Sequence, residues 1–165
     1  MSVTIETATE DHLPAIVDIY NHYVINTTVT FDIRPYSVHQ RTVWLNQFAP
    51  DTRHQLFVAV EDNEVLGYAG SMQFRQKAAY DPSIETTIYM HPEAGGRGIG
   101  SQLMDHLIAA LKRQDVHRMY SGITLPNEPS LALHKRFGFH QVGIFTQVGR
   151  KFDAYHDVAW LEKSL

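Results

Sequence analysis

At 165 residues, with no cysteine, 44% hydrophobic residues and a net charge of −4 when ten histidines are counted neutral, the chain excludes several classes of protein at once. Disulfides, thiolate metal ligands and a cysteine nucleophile are ruled out by composition, no metal is expected, and no basic block of the kind that tracks a nucleic-acid backbone is present. No apolar run approaches the ~20 residues that span a bilayer and Met1-Ser2-Val3-Thr4 carries no signal-type stretch, so the expectation is one cytoplasmic domain, residues 1–165, with neither nucleic acid nor membrane as a partner.

In chain order, Val3-Thr4-Ile5-Glu6-Thr7 alternates as a short first strand, and Thr9 precedes a helix with Leu13, Ile16, Val17, Ile19, Tyr20 and Tyr23 on one face. An extended connection, residues 28–35, leads to Ser37, which can cap a second helix through Val38, Val43, Trp44, Leu45 and Phe48. Segments 56–60 and 65–72 flank Glu61-Asp62-Asn63-Glu64 and read as a hairpin, and the β-branched run 84–90 is a fourth strand. After a glycine-rich turn, Leu103, Met104, Leu107, Ile108 and Leu111 form a helical stripe. A strand at 119–123 follows, then a helix opened by Asn127 or Ser130 and stopped at Gly138, and last the strands 142–148 and 156–161. The order β-α-α-β-β-β-α-β-α-β-β predicts an α/β fold, a mixed and mostly antiparallel sheet flanked by helices.

The turn, Gly95-Gly96-Arg97-Gly98-Ile99-Gly100-Ser101, joins a strand end to a helix start. Glycines let backbone N–H groups approach a ligand, and the first helical turn leaves further donors unpaired with a partial positive charge, so the segment suits a pyrophosphate. It is not a P-loop, because Gly100-Ser101-Gln102 has no lysine. Nor is it a dinucleotide fingerprint, because the third glycine falls on Ser101. A turn that merely caps a helix is the plainer alternative.

The element order with this loop resembles the GNAT superfamily of N-acetyltransferases. Tyr20-Asn21-His22-Tyr23, Thr30-Phe31-Asp32, Phe74-Arg75, Ala79-Tyr80, Ile84-Glu85-Thr86-Thr87-Ile88-Tyr89, Leu125-Pro126-Asn127-Glu128-Pro129-Ser130, Leu133-His134, Phe137-Gly138-Phe139 and Gly149-Arg150-Lys151-Phe152 are similar to its phosphinothricin and methionine sulfoximine acetyltransferase branch. One departure is Gly95, where the superfamily pattern places Gln or Arg. The resemblance implies acetyl-CoA as co-substrate and direct transfer, in a ternary complex, to the α-amine of a small amino-acid analogue such as methionine sulfone, methionine sulfoximine or phosphinothricin. It also implies a homodimer. A peptide or protein acetyltransferase of the same fold is the alternative, followed by a non-catalytic CoA-binding module, which only Gly95 suggests.

Residue roles follow from the same resemblance. Strand alternation alone allows Glu85 to face solvent; the resemblance makes it the base that takes a proton from the amine. His134 becomes the group that protonates the departing thiolate, against the plain reading of a half-buried helix histidine. Ile88, Tyr89 and Met90, with an N–H freed by a strand irregularity near Tyr89 and Met90, are expected to contact the cofactor and hold the thioester oxygen. Gly96, Arg97, Gly98, Ile99, Gly100 and Ser101 are the pyrophosphate residues, with Asn127 and Ser130 touching CoA. Phe31, Arg75, Gln76, Lys77, Thr86, Thr87 and Lys151, with Glu85, are the acceptor-site candidates; Arg75 suits a carboxylate, and packing or surface charge is the bland account of Phe31, Arg75 and Lys77.

Overall fold

The alternating segments come together as one seven-stranded sheet in the computed structural model, which describes residues 2–165. In chain order the elements are β1 (Thr4–Thr7), α1 (Leu13–Asn26), α2 (Val38–Leu45), β2 (Leu56–Glu61), β3 (Glu64–Gln73), β4 (Ser83–Met90), α3 (Ile99–Leu111), β5 (Arg118–Thr124), α4 (Glu128–Arg136), β6 (His140–Lys151) and β7 (Ala154–Ser164). The strands lie in the order β1-β2-β3-β4-β5-β7-β6, and only β4 and β5 run parallel, as the predicted mixed sheet requires.

Local chemistry explains the helix boundaries. Ser37 Oγ accepts from Gln40 N–H while Gln40 Oε1 accepts from Ser37 N–H, a capping box that starts α2 where the sequence places it. α1 begins later than Thr9, because Glu10–His12 forms a 3-10 turn first. α3 begins at Ile99, two residues before Ser101, because Gly98 takes φ 74° and turns the chain into the helix at once. Asn127, rather than Ser130, caps α4, its Oδ1 accepting from Ser130 N–H at 3.3 Å.

Each face of the sheet carries its own core. On one, α1 and α2 cover Leu56, Val58 and Tyr68 with Leu13, Ile16 and Leu45. On the other, Leu103, Met104, Leu107 and Leu111 of α3 are fully buried against Ile84 and Met119. Each such side chain contributes roughly 1.5–3 kcal/mol through burial. The alternation of β4 sends Ile84, Ile88 and Met90 toward α3, whereas Tyr89, and with it the Glu85 and Thr87 positions, faces α1 and α2.

One discontinuity interrupts this sheet. β4 pairs with β3 from Ile84 to Met90, but with β5 only through Ser83, Ile84 and Glu85. Beyond that point β5 follows β7, to Thr124 opposite Val158, and a gap opens between β4 and β5. His91 N–H donates to Leu66 O on the β3 side, so strand alternation turns the backbone groups of Thr86, Ile88 and Met90 toward the gap. The irregularity expected near Tyr89 and Met90 is therefore absent: the β3–β4 register runs unbroken from Gly67 opposite Met90 to Gln73 opposite Ile84. Divergence of the neighbouring strand, not a bulge, leaves the Ile88 groups without a strand partner, while Met90 O accepts from the Tyr23 hydroxyl at 2.6 Å.

Candidate active site

The glycine turn lies at the mouth of this gap. Gly96 and Gly98 have φ 76° and 74°, and a β-carbon added at Gly95, Gly96 or Gly98 would meet nothing within 4 Å. Among the described residues, no backbone N–H from Gly95 to Ser101 donates to a backbone carbonyl, whereas Gln102 N–H already returns to Gly98 O at 3.2 Å. An outward cradle of free donors at a helix start fits a pyrophosphate. A β-carbon at Gly100 would lie 3.6 Å from Leu133, 3.8 Å from Met90 and 3.9 Å from Ile88, so the loop packs directly against α4 and the end of β4.

Arg97 does not hang over this cradle. Its guanidinium is tied to both carboxylate oxygens of Glu61 on β2, each at 2.8 Å. The cation that does stand at the helix start is Arg136 of α4, whose Nη1 donates to Ser101 Oγ at 2.9 Å. In sequence it reads only as a basic residue at the end of a helix.

Inside the gap is a cavity of about 290 Å³, lined by Glu85, Thr86, Thr87, Ile88 and Tyr89 from β4, the 121–124 end of β5, and Asn127, Ser130 and His134. A second cavity, about 410 Å³, shares Val29, Glu85, Tyr89, Gly122 and Thr124 with the first and adds Phe31, Phe145 and Trp160. Glu85 stands where the two meet. Burial raises its pKa above the ordinary carboxylate range, and the Arg75 charge opposes the shift.

His134 is 1% exposed, and its Nδ1 lies 2.8 Å from Ser130 O. A carbonyl oxygen only accepts, so Nδ1 carries the proton and the neutral ring presents a bare lone pair at Nε2. That Nε2 is enclosed without a partner, and burial lowers the pKa of the ring. The geometry makes His134 an acceptor at rest; donating from Nε2 requires protonating the ring first.

Phe31, Glu85, Thr86 and Thr87 are brought together at the two cavities. Arg75 is close enough for its charge to act on Glu85, but it is exposed, as are Gln76 and Lys77, and with them and Tyr80 it lines a separate hollow. Lys151 is 4% exposed and points its Nζ to Thr30 O at 2.9 Å. It braces the loop that carries Phe31 and does not line either cavity. Burial pulls its pKa down, opposed by Asp32.

Five buried side-chain polar atoms have no partner among the described residues: Arg41 Nε, Tyr68 Oη, Thr86 Oγ1, His134 Nε2 and Trp160 Nε1. The first four belong to residues lining the first cavity and the last to one lining the second. Since native proteins satisfy nearly all such groups, their concentration marks a place built to meet a ligand. The sequence reading missed Arg41 and Tyr68.

A family model described as "Acetyltransferase (GNAT) family" matches residues 16–139. A phosphinothricin N-acetyltransferase of Streptomyces coelicolor is 48% identical over 165 aligned residues, covering 99% of this chain and 96% of that protein. An L-methionine sulfoximine/L-methionine sulfone acetyltransferase of Pseudomonas paraeruginosa is 33% identical across 100% of this chain and 96% of its own length. Among solved structures, a GNAT superfamily phosphinothricin acetyltransferase of Sinorhizobium meliloti in complex with AcCoA superposes with a TM-score of 0.94 at 29% identity, covering 100% of this chain and 89% of that one.

Proposed function

The chain belongs to the acetyltransferase (GNAT) family and is an acetyl-CoA-dependent acyltransferase; from that premise we propose that residues 1–165 act as one domain on the α-amine of a small amino-acid analogue, of the methionine sulfone, methionine sulfoximine or phosphinothricin type, by direct transfer in a ternary complex in the cytoplasm. The observation that carries the reading is Glu85 at the junction of two cavities, one bordered by Asn127, Ser130 and His134 and the other walled by Phe31, Phe145 and Trp160. A hollow of about 410 Å³ suits a free amino acid better than a polypeptide.

Acetyl-CoA supplies the acetyl group as an activated thioester. The free N–H groups from Gly95 to Ser101, with Arg136 at Ser101, would hold its pyrophosphate, and Asn127 and Ser130 border its arm where the gap edge of β4 offers backbone groups at Thr86 and Ile88. An N–H of that edge is the donor for the thioester oxygen. An α-ammonium of pKa about 7.7–8.0 is mostly protonated at neutral pH, so Glu85 accepts a proton from it, and the raised pKa of Glu85 narrows the gap between base and acid. His134 takes up a proton at Nε2 before passing it to the departing sulfur.

Thiol release measured across a panel of amino-acid analogues tests the reading. Turnover with methionine sulfone or phosphinothricin is the expected result, and silence with every analogue from folded protein sinks it. At the cradle, Gly95→Gln meets no obstruction and needs no unusual backbone, with φ −64° and ψ 153°. It is expected to fold as wild type and lower KM for acetyl-CoA, whereas Arg136→Ala is expected to raise that KM by about tenfold with little change in kcat. Unchanged KM in both variants would remove the cradle from the cofactor site.

We propose also that two copies associate through β6. It is an edge strand, and Val142, Ile144, Phe145, Val148 and Phe152 on it or its turn, with Tyr155, are about half exposed. Such an apolar edge invites pairing, and Phe145 and Val148 also line the second cavity, so a partner there would roof it. Sedimentation velocity is expected to give a dimer that Val148→Asp converts to monomer; a wild-type monomer at every concentration overturns it.

A further inference from the structure

Two buried donors that the transfer chemistry leaves unused line the first cavity, which meets the acceptor hollow at Glu85. Arg41, on α2, is 9% exposed, forms no ion pair among the described residues, and has an enclosed Nε without a partner. Its guanidinium carbon lies 4.0 Å from the Trp44 ring centroid, 4.6 Å from Tyr20 and 5.1 Å from Tyr36. Such a cage stabilises the charge through ring faces, but it supplies no acceptor for N–H groups that lie in the guanidinium plane. Tyr68, on β3, is wholly buried, its ring 6.1 Å from that of Trp44, and its Oη also lacks a partner. Burial keeps this phenol protonated, and Arg41 is near enough for its charge to act on it. Both residues line the cavity, as do Glu85 and Met72.

A permanently charged donor and a neutral donor, dry and unpartnered, cost free energy unless a ligand brings oxygen to them. That oxygen does not belong to the α-carboxylate. The carboxylate is one carbon from the amine that Glu85 must reach, and Arg75 already acts on Glu85 from the loop after β3. Arg41 instead comes from α2, where the distal end of an acceptor side chain is the part left to be recognised. We propose that Arg41 and Tyr68 form a subsite for the oxo group on tetrahedral sulfur or phosphorus at that end, selecting a sulfone, sulfoximine or phosphinate over a thioether. This subsite rests on the small-acceptor reading above.

L-methionine and L-methionine sulfone share the amine, the carboxylate and the carbon chain, and differ only in two oxygens. Their binding to the full chain, with CoA saturating, is to be measured by calorimetry for wild type, Tyr68→Phe and Arg41→Lys. Tyr68→Phe removes one atom that has no protein partner, so the fold is expected to hold. Wild type is expected to prefer the sulfone, and Tyr68→Phe to cut that preference by about tenfold while methionine binds as before. Arg41→Lys, which keeps the charge but loses the fork, is expected to cut it further. Equal weakening for both ligands, an intact preference in Tyr68→Phe, or no preference in wild type overturns the subsite. Acetyl transfer to the sulfone is scored separately: a sulfone preference in binding without transfer leaves the subsite standing and sinks the proposed activity instead.

Discussion

Glu85→Gln is expected to lower kcat about 100-fold or more and leave KM for acetyl-CoA nearly unchanged, because the amide keeps the shape of the side chain and loses the ability to take a proton. The pH dependence carries the sign. In wild type the working form is the carboxylate, so kcat/KM falls as pH drops through the pKa of Glu85, which burial sets above the ordinary 4.5 despite the opposing Arg75 charge. That acid limb is expected higher than for a solvated carboxylate and is expected to vanish in Glu85→Gln. Removing Arg75 is expected to shift the limb upward again. An acid limb that survives unchanged in the glutamine variant would assign the base elsewhere.

Gly149→Ala is expected to act on the acceptor and not on acetyl-CoA. A β-carbon at Gly149 would sit 2.1 Å from Phe31 Cε2 and 2.5 Å from Cζ, so the ring has to move as a body. Phe31 cannot simply swing to solvent, because its loop is braced by Lys151 on Thr30 O and by the Tyr20 hydroxyl, which bonds both Thr30 and Asp32. Overpacking of this kind costs roughly 1–3 kcal/mol, a fall in Tm of about 2–4 °C per kcal/mol for a chain of this size. Since Phe31 walls the second cavity, KM for the acceptor is expected to rise by about tenfold with acetyl-CoA KM unmoved. Equal changes in both KM values would show that the variant loosens the whole fold.

Periodicity and turn chemistry carried the strands and helices, because Ser37 and Asn127 are caps that work locally and the apolar stripe of α3 faces one core. Glu85 stood out as an acid in a strand of threonine, isoleucine and tyrosine. The gap beside it was not legible, since it depends on β5 leaving β4 to follow β7, a pairing made by residues more than thirty positions further on. Arg97 read as a pyrophosphate residue because nothing local announces Glu61, which arrives from β2. The bond of Lys151 was illegible for the same reason, its partner Thr30 being 121 positions away. Arg41 left one trace: it stands four residues before Leu45, on the buried face of α2, where a lone arginine is out of place.

The short pairing of β4 with β5 has a mechanical side. Strands β1 to β4 form one continuous ladder and β5, β7 and β6 another, and the two are sewn together across the sheet by three residue positions on each strand. Glu85 and Tyr120 are the last stitch of that seam. A sheet joined so briefly by its backbone is held together chiefly by side chains, where Met119, Ile123, Ala159 and Leu161 of one ladder share a core with Ile84 and α3. Acetyl-CoA lying along the gap edge of β4 is expected to slow hydrogen exchange of the backbone amides on both sides of the seam.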